Sequence, residues 1–329
     1  MKKSERQSSL EAFRAAYWPK FHPLMSECEE RLAREAGAPG HMLAESCILT
    51  LTAGGKRLRP LLVFLSARSG VAIGEEHQAA AAAVELVHMA TLVHDDVLDG
   101  ADLRRGQPTL AAKYGLRIST AAGDYLFSTA FEILASSGSP QAVSLLTRAS
   151  LGLSLGELWQ MEQAGDLSLE IELYLERCRF KTSGLFSAAC MLGAMLSGCS
   201  QATIEAMNEF GQQLGLAFQI ADDILDFTAD AAEAGKLTGT DLRDGTVTLP
   251  LLLAFERDGS LKDLFSQDLT DSRVEEICRG VIATGALDEA RLRARDHVAG
   301  AREALLTAQA ELDIEPLELI AESAADRRV

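Results

Sequence analysis

Two long apolar segments, residues 79–97 and 202–227, constrain the fold most, because each ends in a burst of aspartates. Apolar residues occur on most helical faces of both segments, which is typical of helices buried on several sides. Unpaired carboxylates are not stable in a dry core, so a buried helix that ends in several of them indicates a polar cavity. We therefore expect two central helices that open into a polar site.

The rest of the chain has the same helical periodicity. Ala, Leu and Glu are abundant, aromatic residues make up 5% of the chain, and few segments alternate at period two. The pattern predicts an all-α fold, and the short turns between helices predict one domain over residues 1–329. Helices are predicted at 9–36, 41–53, 60–70, 75–99, 108–115, 118–135, 139–164, 168–180, 182–197, 201–227, 247–257, 271–284 and 286–310.

Composition narrows the possible partners and the compartment. A formal charge of −17 over 329 residues argues against nucleic acid, whose phosphates select basic surfaces. Six scattered cysteines without a Cys-x-x-Cys pair indicate structural thiols in a reducing compartment. The N-terminal residues lack an apolar run, and no segment approaches the roughly 18 apolar residues of a spanning helix, so we expect no transmembrane segment and a cytoplasmic location.

The first aspartate cluster is Asp95-Asp96-Val97-Leu98-Asp99. On a helix, Asp99 lies one turn from Asp95 and three residues from Asp96, so the carboxylates converge on one side. That spacing suits bridging of hard divalent cations. His88 lies two turns earlier on the same face.

The second cluster, Asp222-Asp223-Ile224-Leu225-Asp226, repeats this geometry, with Gln219 one turn before Asp223. Either cluster alone could be a solvated acidic end of a helix. Two such clusters, each after a long apolar helix, favour a shared metal-dependent function instead.

Cationic residues supply the complement to these carboxylates. The segment Gly-Gly-Lys-Arg-Leu-Arg-Pro at 54–60 is a plausible anion cradle, in which backbone N–H groups, Lys56 and Arg59 are available to one phosphate group. An ordinary charged surface loop is the alternative interpretation. Further candidates are Arg104 and Arg105 after the first cluster, and Lys181, Thr182 and Lys236.

These motifs, in this order and at these intervals, resemble the trans-polyprenyl diphosphate synthases of the all-α isoprenoid synthase family. The resemblance covers essentially the whole chain and implies a helical bundle around a large central cavity. It is carried by GGKRLRP at 54–60, HMATLVHDDVLDGADLRRGQPT at 88–109, GDYLF at 123–127, FKTSGLF at 180–186, FQIADDILD at 218–226 and GKLTGTDLRDGTVTLP at 235–250.

The resemblance implies a role for each candidate residue. Mg²⁺ ions, held by the aspartates of two opposed helices, would bind an allylic diphosphate that condenses head to tail with isopentenyl diphosphate. The implied metal-binding and catalytic residues are Asp95, Asp96, Asp99, Asp222, Asp223 and Asp226, with Lys181 also catalytic. Lys56, Arg59, His88 and Arg105 would bind isopentenyl diphosphate, and Arg104, Lys181, Thr182, Gln219 and Lys236 would surround the allylic diphosphate.

One departure from the family pattern follows Asp241. The family commonly has a lysine in Gly-Lys-x-Thr, whereas this chain reads Gly-Thr-Val-Thr at 245–248. One cationic contact to the allylic diphosphate is therefore in doubt, while every aspartate of both clusters is present.

Product length is expected to depend on the residues below the first cluster. Thr91 lies one turn below Asp95, with Ala90 beside it and Val87 further down, and none of these is a bulky aromatic. Phe127 and Phe131 could close the tunnel deeper. We expect a medium-to-long product similar to octaprenyl diphosphate, with a shorter farnesyl or geranylgeranyl product as the alternative.

Other functional classes remain as rival interpretations. A cyclising terpene synthase shares the first cluster but usually has a different second metal site and lacks the basic loop. A non-catalytic synthase subunit would have decayed clusters, whereas a catalytic subunit that needs a partner fits the sequence. The resemblance itself implies a homodimer.

Overall fold

The computed structural model describes residues 8–37, 41–52, 55–104, 106–228, 239–265 and 269–325. It confirms the predicted all-α fold; the described strands, β1 (Leu103–Arg104) and β2 (Gln107–Pro108), form one short antiparallel hairpin. The first helices are α1 (Ser9–Ala16), α2 (Trp18–Gly37), α3 (His41–Thr52), α4 (Leu58–Leu65), α5 (Glu75–Leu98), α6 (Leu110–Tyr114), α7 (Leu116–Ser136), α8 (Pro140–Glu162) and α9 (Ile171–Cys178). They are followed by α10 (Gly184–Leu196), α11 (Gln201–Thr228), α12 (Thr240–Arg243), α13 (Leu249–Arg257), α14 (Ser260–Phe265), α15 (Asp271–Ala283), α16 (Ala286–Ala308) and α17 (Glu315–Ala325).

The helices differ from the predicted ones in four main ways. Helix α4 ends at Leu65, whereas the prediction continued to residue 70. The predicted helix 9–36 is interrupted at Tyr17, whose N–H donates to the carbonyl of Phe13 and caps α1. The predicted break between 180 and 182 is absent, because a π-helical turn, Arg179–Ser183, joins α9 to α10. The short helices α12 and α14 and the last helix, α17, were not predicted.

Two hydrophobic clusters make up the core. The larger one is built around α5, where residues 79–84 are all at most 1% exposed, and it includes the inner faces of α4, α7 and α10. The smaller one lies among α9, α13 and α15. Helices α11 and α16 contribute residues to both clusters and so hold them together. Within the described ranges, no helix is long and apolar enough to cross a membrane.

Close packing of α11 against α10 fixes where the second aspartate cluster lies. A Cβ atom at Gly215 would come within 2.4 Å of the Cα atom of Ser183, and one at Gly211 within 2.4 Å of the Cα atom of Ser187. Glycine at both positions therefore lets the two backbones approach closely. As a result, Asp222 near the end of α11 shares one cavity with the π-helical turn and with Asp95 near the end of α5.

Candidate active site

A cavity of about 700 Å³ lies where α5, α11 and the π-helical turn meet the loop before α4. This volume is in the range of small-molecule sites. It brings together half of the predicted site residues, from five separate parts of the sequence. Its lining includes Lys56, Arg57, Arg59, Glu85, His88, Met89, Thr91, Leu92, Asp95, Arg104, Leu153, Lys181, Thr182, Leu185, Phe218, Gln219 and Asp222.

The aspartates of the first cluster have different environments. Asp95 lines the cavity and is half-buried, whereas Asp99 is exposed at the end of α5. Asp96 is buried, and its Oδ1 accepts a hydrogen bond from Nε of Arg104 at 2.6 Å. Arg104 lies on β1, so this ion pair attaches the hairpin to the end of α5.

The second cluster shows the same division. Asp222 lines the cavity, while Asp223 is 2% exposed and accepts hydrogen bonds from the hydroxyl of Tyr174 at 2.6 Å and from Nε2 of Gln219 at 2.8 Å. The carboxylate of Asp226 accepts the backbone N–H groups of Thr240 and Asp241 at 3.0 and 3.1 Å. The two middle aspartates thus bond to neighbouring side chains of the protein, and Asp95 and Asp222 face the cavity.

Burial and crowding raise the pKa values of several of these carboxyls. Burial is the largest cause for Asp95, whose pKa rises to about 7; Lys181 opposes the rise and Glu157 adds to it. Burial likewise raises the pKa of Asp223 to about 6, against the hydrogen bonds from Tyr174 and Gln219. Asp99 lies at the exposed end of α5, but partial burial of its carboxyl and the nearby carboxylates of Glu157 and Asp244 raise its pKa as well. A divalent cation would relieve this cost, since it favours the ionised form.

The donor set fits magnesium better than a metal that needs a complete protein cage. Within the described ranges, no group of three or more His, Cys, Asp or Glu side chains is placed to hold a metal ion. Magnesium usually takes one or two carboxylates and completes its shell with waters and substrate phosphates. Asp95 and Asp222, which line the same cavity, meet that requirement.

The π-helical turn places Lys181 and Thr182 in the cavity. Nζ of Lys181 lies 2.5 Å from the carboxylate of Glu157 on α8, and the hydroxyl of Thr182 donates to Oε1 of Gln219 at 2.6 Å. Gly156 allows α8 to approach, because a Cβ atom there would lie 2.5 Å from the backbone nitrogen of Lys181. Widened helical turns of this kind are frequent at functional sites.

The basic loop before α4 forms another wall of the cavity. Lys56 is exposed, and the guanidinium of Arg59 lies 4.5 Å from the centroid of the Phe186 ring, a cation–π distance. His88 on α5 lines the same cavity. The predicted contacts from Arg105 and Lys236, and from Gly54 of this loop, fall outside the described residues.

The predicted product-length residues occupy different places. Thr91 lines the cavity, together with Met89, Leu92, Leu153 and Leu185, which were not predicted. Ala90 and Val87 are fully buried in the larger core cluster instead. Phe127 and Phe131 on α7 are half-buried, with ring centroids 5.6 Å apart. Of the five predicted residues, Thr91 is the one that borders this cavity.

Several residues of the site were missed by sequence reasoning. Glu157 contacts Lys181, Tyr174 contacts Asp223, and the buried Arg177 donates to Oε1 of Gln163 and to the carbonyl of Val247. Arg177 thereby joins α9 to the Gly-Thr-Val-Thr segment that departs from the family pattern. None of these residues belongs to an obvious motif. Glu157, which directly follows Gly156 inside a predicted helix, is the one that the sequence could have singled out.

Comparison with known proteins agrees with this geometry. The family model for polyprenyl synthetase matches residues 41–281. Component 2 of heptaprenyl diphosphate synthase from Geobacillus stearothermophilus is 42% identical over 70% of this chain and 72% of its own length. Octaprenyl diphosphate synthase from Escherichia coli (strain K12) is 35% identical over 75% of this chain and 78% of its own length.

A solved structure shows the same fold along almost the whole chain. Polyprenyl synthase from Caulobacter crescentus CB15, complexed with calcium and isoprenyl diphosphate, has a TM-score of 0.90 and 35% identity, covering 99% of this chain and all of the other. A helical bundle with carboxylates and cationic groups around one cavity defines the class of all-α isoprenoid synthases. The chain belongs to the polyprenyl synthetase family within that class, and it is a trans-prenyltransferase of the medium-to-long-chain kind.

Proposed function

We propose that the cavity condenses isopentenyl diphosphate with an allylic diphosphate, head to tail, to make a linear polyprenyl diphosphate. The main observation behind this proposal is that Asp95 and Asp222, from two helices far apart in sequence, face one cavity. The same cavity is lined by the cationic residues Lys56, Arg59 and Lys181. Such an arrangement stabilises negative charge as it develops on a departing diphosphate. The allylic carbon–oxygen bond breaks and diphosphate departs, the double bond of isopentenyl diphosphate attacks the allylic carbon, and a proton of the isopentenyl unit passes to the departing diphosphate.

In this proposal the two kinds of aspartate have different tasks. Asp95, Asp99, Asp222 and Asp226 would hold Mg²⁺, which polarises the allylic diphosphate and favours departure of the leaving group. Asp96 and Asp223, predicted as metal ligands, would instead position their clusters, because each already bonds to a neighbouring side chain. Lys181 and Arg104 would bind the allylic diphosphate, with Thr182 and Gln219 as hydrogen-bonding neighbours.

Isopentenyl diphosphate would bind at the basic loop. Lys56 and Arg59 would bind its diphosphate, a role supported by their position in the cavity lining together with His88 of α5. The apolar residues Leu153, Leu185 and Phe218 line the same cavity and would keep water away from the allylic cation.

The experiment that tests the proposal compares Asp95→Asn and Asp222→Asn with the matched control Asp313→Asn, an exposed aspartate outside the cavity. Incorporation of labelled isopentenyl diphosphate into chains primed by farnesyl diphosphate is measured in excess Mg²⁺. We expect each cavity variant to lose at least about 100-fold in rate, the scale of one lost electrostatic contact to developing charge. Unchanged rates in both variants would refute the assignment of this cavity.

The proposed product is medium to long, near octaprenyl, and geranyl, farnesyl and geranylgeranyl diphosphates are all candidate primers. Support for this length comes from the cavity lining below Asp95, where Thr91 is small, and from relatives named as heptaprenyl and octaprenyl diphosphate synthases. Chain-length analysis with each primer would decide between this product and a shorter one.

We also propose that the chain forms a homodimer through α8. Leu151, Leu155, Leu158 and Met161 are 46–60% exposed at helical spacing and form an apolar stripe, which is typical of an interaction surface. A second candidate is a catalytic subunit that needs a different partner, because one relative is named as a component of its synthase. Light scattering and activity of the purified chain alone distinguish the two.

Two further proposals concern organisation and location. The chain is one domain, a proposal supported by α11 and α16, which take part in both core clusters. The proposed cytoplasmic location is supported by six unpaired cysteines, of which Cys199 alone is not buried.

A further inference from the structure

Arg57 stands between the two predicted phosphate-binding residues of the basic loop, yet its side chain turns into the protein. Its guanidinium donates to Glu29 on α2 through Nε at 2.6 Å and to Glu85 on α5 through Nη1 at 2.8 Å. The remaining nitrogen, Nη2, donates to the carbonyl of Leu51 near the end of α3 at 2.7 Å. One side chain therefore fastens the loop to three helices.

The backbone at Arg57 is strained. Among the described residues it is the one non-glycine residue with a positive φ, at φ 46° and ψ 39°, in the left-handed region. Arginine rarely adopts this conformation, and strained residues persist where surrounding contacts over-determine them. Here the three hydrogen bonds of the guanidinium are those contacts. Arg57 is also the N-cap of α4. Its backbone conformation therefore sets the direction of α4 relative to the preceding Lys56, and with it the position of Arg59 in the first turn of the helix.

The anchor on α5 is itself buried. Glu85 is 3% exposed, and it lies one turn before His88 on the helix that carries Asp95. Arg57 and Glu85 also border the cavity. The ion pair consequently connects the basic loop to the helix of the first aspartate cluster.

We propose that Arg57 is a positioning residue for isopentenyl diphosphate, which holds Lys56 and Arg59 toward the cavity by fixing a strained loop to Glu85 and Glu29. This inference rests on the proposed binding of isopentenyl diphosphate at the basic loop. It assigns Arg57 no contact with the substrate. Loss of the clamp would lower affinity for isopentenyl diphosphate and leave the allylic diphosphate site intact.

The test compares Arg57→Gly, which removes the guanidinium and permits the left-handed backbone, with Arg57→Ala, which removes it and opposes that backbone. KM for isopentenyl diphosphate is measured in the full chain, and Kd for farnesyl diphosphate is measured by calorimetry. We expect Arg57→Gly to raise KM about 10- to 100-fold, the range for misplaced binding groups, and Arg57→Ala to raise it further. Kd for farnesyl diphosphate should stay within about twofold of its value in the unmodified chain, because the Arg57 side chain does not hold the residues of that site.

Glu85→Gln is the milder second variant if the Arg57 variants fold poorly. The control is Arg302→Ala on α16, which removes two exposed ion pairs. An unchanged KM for isopentenyl diphosphate in folded Arg57→Gly and Glu85→Gln would overturn the inference. Equal weakening of both ligands would overturn it as well, because it would indicate a general structural role. Arg59→Ala separates this from the proposed function: if that variant also leaves KM unchanged, isopentenyl diphosphate does not bind at the loop.

Discussion

The hydrogen bond from Tyr174 to Asp223 should be the main stabilising contact of the second aspartate cluster. Asp223 is 2% exposed, and the Tyr174 hydroxyl donates to its Oδ2 at 2.6 Å. Tyr174→Phe removes this donor and leaves the hydrogen bond from Nε2 of Gln219 to Oδ1 of the carboxylate. A hydrogen bond to a charged group contributes about 1.5–3 kcal/mol, so we expect the variant to lose about 2 kcal/mol at pH 8.

The loss should depend on pH in a defined direction. Burial raises the pKa of Asp223 from 3.8 to about 6, so the destabilisation from ionising this carboxyl accumulates as pH rises from about 4 to about 6 and is constant at higher pH. The Tyr174 hydroxyl opposes that rise, because it stabilises the ionised form. At pH 5 the carboxyl is largely protonated, the hydrogen bond is between neutral groups, and its loss should cost about 1 kcal/mol.

Thermal unfolding in chelator, at pH 5 and pH 8, measures both effects. A loss of about 2 kcal/mol corresponds to roughly 3 °C in Tm for a chain of 329 residues, by the per-residue scaling of unfolding entropy. Tyr125→Phe is the matched control, because its hydroxyl donates to a neutral acceptor, the carbonyl of Glu35, at 3.0 Å. A Tm shift for Tyr174→Phe that is the same at both pH values, or no larger than that of Tyr125→Phe, would refute the reasoning.

Three further predictions concern the cavity. Gly156→Ala should reduce activity by about 100-fold, because the added Cβ atom would displace the backbone of Lys181. Gly152→Ala is the control: the nearest contact of its Cβ atom would be at 3.4 Å, so its steady-state rate should be nearly unchanged. Thr91→Phe should shorten the product, because Thr91 lines the cavity; chromatography of the products checks this. Ala90→Tyr should instead lower Tm, because it overpacks a fully buried position; calorimetry checks this. Mg²⁺ affinity should fall by about tenfold per pH unit below 7, because Asp95, with a pKa of about 7, must lose its proton to bind the cation; calorimetric titration with proton release tests this.

The long helices and the composition of the site were predictable from local sequence. Helices α5 and α11 have continuous apolar patterns over more than twenty residues, and the aspartates at their ends are separated by one turn. The cationic residues were found through motifs whose order and spacing resemble a known family. These features depend on residues close together in the chain.

Features that depend on tertiary contacts were not predictable in this way. Asp96 and Asp223 look identical to their neighbours in sequence, and only the folded chain brings Arg104 and Tyr174 to them. Helix α5 is apolar on nearly every face, so its sequence does not distinguish Thr91, which lines the cavity, from the buried Ala90. The strained backbone of Arg57 likewise results from partners on three other helices.

Elongation of an allylic primer is the direct test of head-to-tail prenyl transfer by this chain. The purified chain is incubated with farnesyl diphosphate, labelled isopentenyl diphosphate and Mg²⁺, and the products are resolved by length, with chelator in a parallel reaction. We expect a series of longer linear prenyl diphosphates ending near octaprenyl, and none in chelator. Failure to elongate geranyl, farnesyl or geranylgeranyl diphosphate, or cyclic products alone, would contradict it.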